Sequence, residues 1–162
     1  MYKNLLLFII SFCFSNDYIV DDYYFKWKVL QYADIELSVI KDEDTSYISF
    51  EDESMFGDLT LTSKEAIEIG KELLNINTIY KKFKKNKLIE IDEKINLGSQ
   101  TITYIKSEKN GFYIRIESNE LFGNSLNLDR KEAIAFAPHL IDSDNLINYI
   151  KNKINLNLLK IK

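Results

Sequence analysis

One stretch of this chain occurs twice, and that constrains its fold more than any other feature. Residues 47–73 read YISFEDESMFGDLTLTSKEAIEIGKEL, and residues 113–140 read YIRIESNELFGNSLNLDRKEAIAFAPHL. Aligned with Ser125 as an inserted residue, they share about a dozen identities, the mark of a duplicated supersecondary unit. Tyr47/Tyr113, Ile48/Ile114, Glu51/Glu117, Phe56/Phe122, Gly57/Gly123, Leu59/Leu126 and Leu61/Leu128 recur. So does the block Lys64-Glu65-Ala66-Ile67, as Lys131-Glu132-Ala133-Ile134.

Each copy reads as strand, turn, short strand and helix. Ile48 and Phe50 alternate with Tyr47, Ser49 and Glu51, and Ile114 and Ile116 with Tyr113, Arg115 and Glu117. That period of two predicts half-buried strands. Gly57 and Gly123 follow an aromatic residue where the chain must turn, which suggests positive φ. Thr62 with Glu65, and Asp129 with Glu132, have capping-box spacing and open a helix in each copy. Gly70 and Ala137 share one repeat position, and a small residue there predicts close approach of helix to sheet. Pro138, where the first copy has Lys71, predicts that the second helix kinks or stops near Ala137.

The flanking segments complete each unit. Phe25-Trp27-Val29 and Ile35-Leu37-Val39 alternate as strands, with residues 41–46 as the turn into the Tyr47 strand. In the second copy, residues 88–97 and 101–105 supply the matching strands and residues 107–111 the turn. The expected fold is α+β: an internally duplicated ββββα unit, antiparallel in its sheet or sheets, with one helix per repeat packed on one face. Residues 16–86 form the first repeat and 87–162 the second, together one globular unit. Ile79, Tyr80 and Phe83 have helical spacing between the repeats. After Pro138, Ser143 opens a helix with Leu146, Ile147 and Ile150 inward, and the tail INLNLLKIK alternates like a strand. The chain has 162 residues, 46% of them hydrophobic, enough for a core of this size.

Residues 1–15, MYKNLLLFIISFCFS, read as a secretory signal peptide: Lys3, an apolar run, then Cys13 and Ser15 at the −3 and −1 positions. The run is too short to span a bilayer with ease. The competing reading is an extra buried strand or helix, and the two place the protein outside or inside the cytoplasm. With the leader removed the chain holds no cysteine and hence no disulfide. The abundance of Ile, Asn and Lys reflects an AT-rich coding bias.

Catalytic constellations are weak. His139 is the sole histidine and has no second ligand or nucleophile suggesting zinc or triad chemistry. Asp42-Glu43-Asp44 and Glu51-Asp52-Glu53 lack calcium-loop spacing. Glu51 and Glu117 recur, and as a pair they would suit acid–base work, but duplication accounts for the coincidence. There is no glycine-rich phosphate loop. The expectation is a non-enzyme with no cofactor and no metal.

A binding role is better supported. Tyr47, Glu51, Tyr113, Arg115 and Glu117 should share the sheet face opposite the helices, where tyrosines offer large contact area at low entropic cost. The tandem ββββα order resembles the Whirly and PUR single-stranded nucleic-acid-binding folds over most of the chain, in topology and without a shared sequence motif. That resemblance implies strand faces that stack and hold single strands. Tyr47, Tyr113 and Arg115 would then stack, and the run Lys81, Lys82, Phe83, Lys84, Lys85 would meet phosphates. The charge favours another partner. The net charge is −4, and acidic residues outnumber basic ones severalfold between 16 and 60. Some immunity proteins of bacterial contact-dependent toxins are similar to the Whirly fold. An acidic inhibitor or immunity-type protein that covers a basic protein fits this charge, since opposite charge speeds encounter. A single-stranded nucleic-acid binder and an exported structural or surface protein are the alternatives.

Overall fold

The computed structural model describes residues 24–52, 57–86, 90–121 and 123–153. The leader reading over residues 1–15, the Phe56/Phe122 pair and the tail after Lys153 lie outside them. Eight strands form two antiparallel sheets. The first holds β1 (Tyr24–Tyr32), β2 (Ile35–Asp42), β3 (Thr45–Asp52) and β4 (Gly57–Leu61) in that order. The second holds β5 (Ile91–Asn96), β6 (Gln100–Ser107), β7 (Gly111–Ser118) and β8 (Ser125–Leu128). Helices α1 (Ser63–Leu73) and α2 (Ile76–Lys85) follow the first sheet, and α3 (Arg130–Ile141) and α4 (Ser143–Lys153) the second. The duplicated ββββα unit is therefore present, and a second helix extends each copy.

Alternation sets which face is core. Leu37, Val39, Ile48, Phe50, Leu59 and Leu61 of the first sheet are buried, as are Ile102, Tyr104, Ile114, Ile116, Leu126 and Leu128 of the second. All belong to one apolar cluster shared with the helices. Both capping boxes form: Thr62 Oγ1 accepts from the Glu65 N–H, and Asp129 Oδ1 accepts from the Glu132 N–H at 2.7 Å. Each satisfies donors that a helix start otherwise leaves orphaned.

The second helices exchange sheets. Helix α2 packs on the second sheet: Tyr80 and Phe83 stand edge-on to Phe112 at centroid distances of 5.3 and 5.7 Å. Lys82 pairs with Glu93 of β5 at 2.5 Å. Helix α4 in turn lies against β2 and β3, and Tyr149 meets Trp27 of β1 at 6.4 Å. Each repeat thus completes the core of the other.

Three local expectations need correction. Gly57 and Gly123 are not at positive φ; among the described glycines only Gly98 and Gly111 are. Space is what demands them. A Cβ on Gly57 would stand 2.5 Å from the Ser125 carbonyl oxygen, and one on Gly123 2.6 Å from that of Ser118. Gly70 meets the other helix rather than a sheet: a Cβ there would lie 2.9 Å from the Ala137 carbonyl oxygen. Ala137 occupies the same repeat position as Gly70, so α1 and α3 touch at equivalent points, as an approximate twofold requires. Helix α3 also runs through Pro138 to Ile141. A proline in the last turn removes only its own bond to the Ile134 carbonyl. Burial of Ala137 and Leu140, with the Asp142 N–H bonded to the Pro138 oxygen at 3.1 Å, keeps that turn helical.

Candidate functional site

The register places the predicted binding residues on the faces turned away from the core. Along the first sheet, Gln31, Glu36, Glu51 and Asp58 form one outward row, Lys28, Ser38, Ser49 and Thr60 the next, and Lys26, Ile40 and Tyr47 a third. Along the second, Asn96, Thr101, Glu117 and Ser125 form a row, Lys94, Thr103, Arg115 and Asn127 another, and Asp92, Ile105 and Tyr113 a third. Tyr47, Glu51, Tyr113, Arg115 and Glu117 are all half-buried. Glu51 and Glu117 stand on different sheets, and each has its own cation, so the structure does not bring them together as a carboxylate pair.

The first sheet carries a charge network that sequence inspection missed. Glu36 is 5% exposed and takes Lys26 at 2.9 Å and Lys28 at 2.5 Å. Ser38 Oγ donates to it at 2.7 Å. Lys26 also reaches Glu51 at 2.8 Å, and Ser49 Oγ donates to Glu51. Burial by itself would raise the Glu36 carboxyl. Hydrogen bonds from Lys28, Ser38 and Lys26 overcome it and bring the pKa down to about 2. Against the same opposing burial, Lys26 and Ser49 lower Glu51. Burial pushes the Tyr47 phenol up, helped by Tyr24, Asp42 and Glu51. The signal was the i, i+2 spacing of Lys26 and Lys28, which a β1–β2 hairpin sets on the same sheet face as Glu36.

On the second sheet Arg115 is held between Asn127, to whose Oδ1 its Nε donates at 3.2 Å, and Glu117 at 3.7 Å. The lysine run lies elsewhere. Lys81, Lys82, Lys84 and Lys85 are exposed on α2, which packs on the core face of that sheet, behind Tyr113 and Arg115. Phe83 is 2% exposed and belongs to the core. The tyrosine–arginine face and the lysine run therefore do not form one groove. His139 sits half-buried in the last turn of α3.

Where the repeats meet, beside the outward edge of β4, lies an open pocket of about 520 Å³. Tyr47, Asp58 and Thr60 line it from the first sheet, Thr62 and Glu65 from the start of α1. Ser99, Gln100, Glu120, Gly123 and Asn124 close the other side. Asn124 Nδ2 donates to Asp58, and Ser99 Oγ to Glu65, fastening the walls together. Burial would raise Glu65, but the Ser99 and Thr62 hydrogen bonds lower it, so it stands as a carboxylate. Among the described residues no group of acidic, histidine or cysteine side chains has the arrangement of a metal site, and no helix is long and apolar enough to cross a membrane. No protein-family model matches the chain, and no curated protein sequence is significantly similar to it.

Proposed function

We propose that this protein is a non-enzymatic binding module of inhibitor or immunity type, which covers a basic protein with the acidic, tyrosine-bearing outward face of its sheets. One observation carries the reading. The two lysines that the register sets on the outward face of the first sheet, Lys26 and Lys28, are both neutralised by Glu36, and Lys26 also by Glu51. A face that tracks phosphates needs cations to spare. Here carboxylates consume them, and Tyr47 and Asp58 remain for a partner of opposite charge. Charge complementarity of this kind raises association rates and excludes like-charged competitors.

Single-strand binding, as the Whirly- and PUR-like topology suggests, has one feature in its favour: Lys94 and Arg115 share an outward row beside Tyr113. Titration of the full chain with a mixed-sequence single-stranded oligonucleotide separates the readings. The protein-binding account predicts no measurable affinity at physiological salt. Binding that weakens steeply as salt is added would overturn it in favour of nucleic acid.

A further inference from the structure

The duplication lets one surface be compared with its own counterpart. Lys82 and Tyr149 stand equally far beyond the recurring Lys64 and Lys131, so they are equivalent. Their strand neighbours are equivalent too. Trp27 pairs with Val39 and Val39 with Ile48, as Glu93 pairs with Tyr104 and Tyr104 with Ile114. Because Ile48 and Ile114 recur, Trp27 and Glu93 correspond. The second sheet therefore fills this place with the Lys82–Glu93 ion pair, and the first fills it with the edge-on rings of Tyr149 and Trp27.

The two pairs suit different surroundings. An ion pair tolerates water, whereas large rings gain by leaving it. Yet Trp27 is 49% exposed and Tyr149 51%, and Tyr32, on the same side of β1, is exposed as well. Among the described strands β1 stands at the edge of its sheet, and it is nine residues long. A long edge that carries apolar side chains is a surface proteins ordinarily cover.

The path of the chain indicates the cover. Helix α2 packs on the second sheet, and the residues after it lead into β5, the edge strand of that same sheet. Helix α4 packs on the first sheet and ends at Lys153, whose Nζ lies 5.3 Å from the centre of the Tyr149 ring. Nine residues follow, INLNLLKIK at 154–162, and the equivalent path brings them to β1. Fully extended they reach about 30 Å, enough to run the length of β1. Ile154, Leu156 and Leu158 alternate with Asn155 and Asn157, which gives the segment one apolar face. Lys160 and Lys162 then supply the charges that blunt a new edge.

We infer that residues 154–162 lie along β1 as a fifth strand of the first sheet, with Leu156 and Leu158 against Trp27 and Tyr149. The second sheet needs no such strand, since its equivalent position holds an ion pair. The inference is independent of the binding reading, because the covered rings are on the helix side of β1 and the proposed partner face is on the other.

Trp27 is the sole tryptophan of the chain, so tryptophan fluorescence of the full-length protein reports on this place alone. Leu156→Asp combined with Leu158→Asp should move its emission to the red and increase its quenching by acrylamide, while circular dichroism stays that of a folded protein. Asn155→Asp combined with Asn157→Asp should leave the emission unchanged. Should the leucine variant fail to fold, the wild type answers directly: NMR should show nuclear Overhauser contacts between the Trp27 indole and the Leu156 or Leu158 methyls. Unchanged emission in a folded leucine variant, an equal shift in the asparagine variant, or absence of those contacts in the wild type would overturn the assignment. A wild-type emission that moves with protein concentration would give the cover to a second copy of the chain and overturn it likewise.

Discussion

Glu36 is the residue whose environment departs most from what its position suggests. In an outward row of a sheet a glutamate is ordinarily solvated; here it is buried and serves two lysines. Because its folded pKa of about 2 lies below a glutamate's ordinary value of 4.5, the unfolded chain takes up the proton first. Its contribution is full above the unfolded value and is lost as pH falls from about 4.5 towards 2. Glu36→Gln should therefore flatten the acid limb of a stability–pH profile and cost about 1–3 kcal/mol at neutral pH. The lower end is expected, because Lys26 and Lys28 are partly exposed and can rehydrate. Urea denaturation at several pH values checks both. Glu132 has the opposite sign. Burial raises its carboxyl, and Asp129, Asp52 and Asp34 add to this against the Asp129 backbone hydrogen bond. Its charge is thus a cost to the fold at neutral pH, and relief comes as pH falls through the raised pKa. Glu132→Gln keeps an acceptor for the Asp129 N–H, so it should raise Tm at pH 7, with the gain fading in acid. A lower Tm at pH 7 would contradict this.

At the scale of elements, the crossing of α1 and α3 decides how near the repeats approach. Gly70→Ala in an exposed helix would gain about 1 kcal/mol. Here the new methyl would stand 2.9 Å from the Ala137 carbonyl oxygen and from the Ile141 backbone nitrogen. Backbone atoms cannot swing aside, and overpacking of this kind costs about 1–3 kcal/mol. The clash should win, giving a net loss of stability by thermal denaturation; a stabilised variant would place the crossing elsewhere. The elements themselves were legible because their signals are local. Alternation around Ile48/Phe50 and Ile114/Ile116 fixes strands, and Thr62/Glu65 and Asp129/Glu132 fix helix starts. What was not legible is what depends on partners distant in sequence. Gly57 and Gly123 signalled a turn, whereas the demand on them is clearance from Ser125 and Ser118. Pro138 signalled a stop, but burial of Ala137 and Leu140 outweighs one lost hydrogen bond. The outward placement of Tyr47, Glu51, Tyr113, Arg115 and Glu117 follows from period two alone. Glu36 acquires its role only when the register of the hairpin is known.

For the whole molecule, the exchange of α2 and α4 between sheets means that neither copy owns its core. A fragment ending after α2 would expose the apolar face of its sheet and leave Phe83 and Ile79 without Phe112 and the second sheet. Separately expressed halves, residues 1–89 and 90–162, should be unfolded by circular dichroism and should recover structure when mixed. A half that unfolds cooperatively alone would contradict the interlock. The same architecture holds the two outward faces in fixed relation, so the proposed partner would meet them as one surface. Affinity capture from the native host, comparing the wild type with a Tyr47→Ala, Glu51→Gln, Glu117→Gln variant shown to be folded, tests that claim most directly. A basic protein retained by the wild type, released by salt and lost by the variant is the predicted result. Equal retention by both proteins, or a captured partner that is acidic, would contradict it.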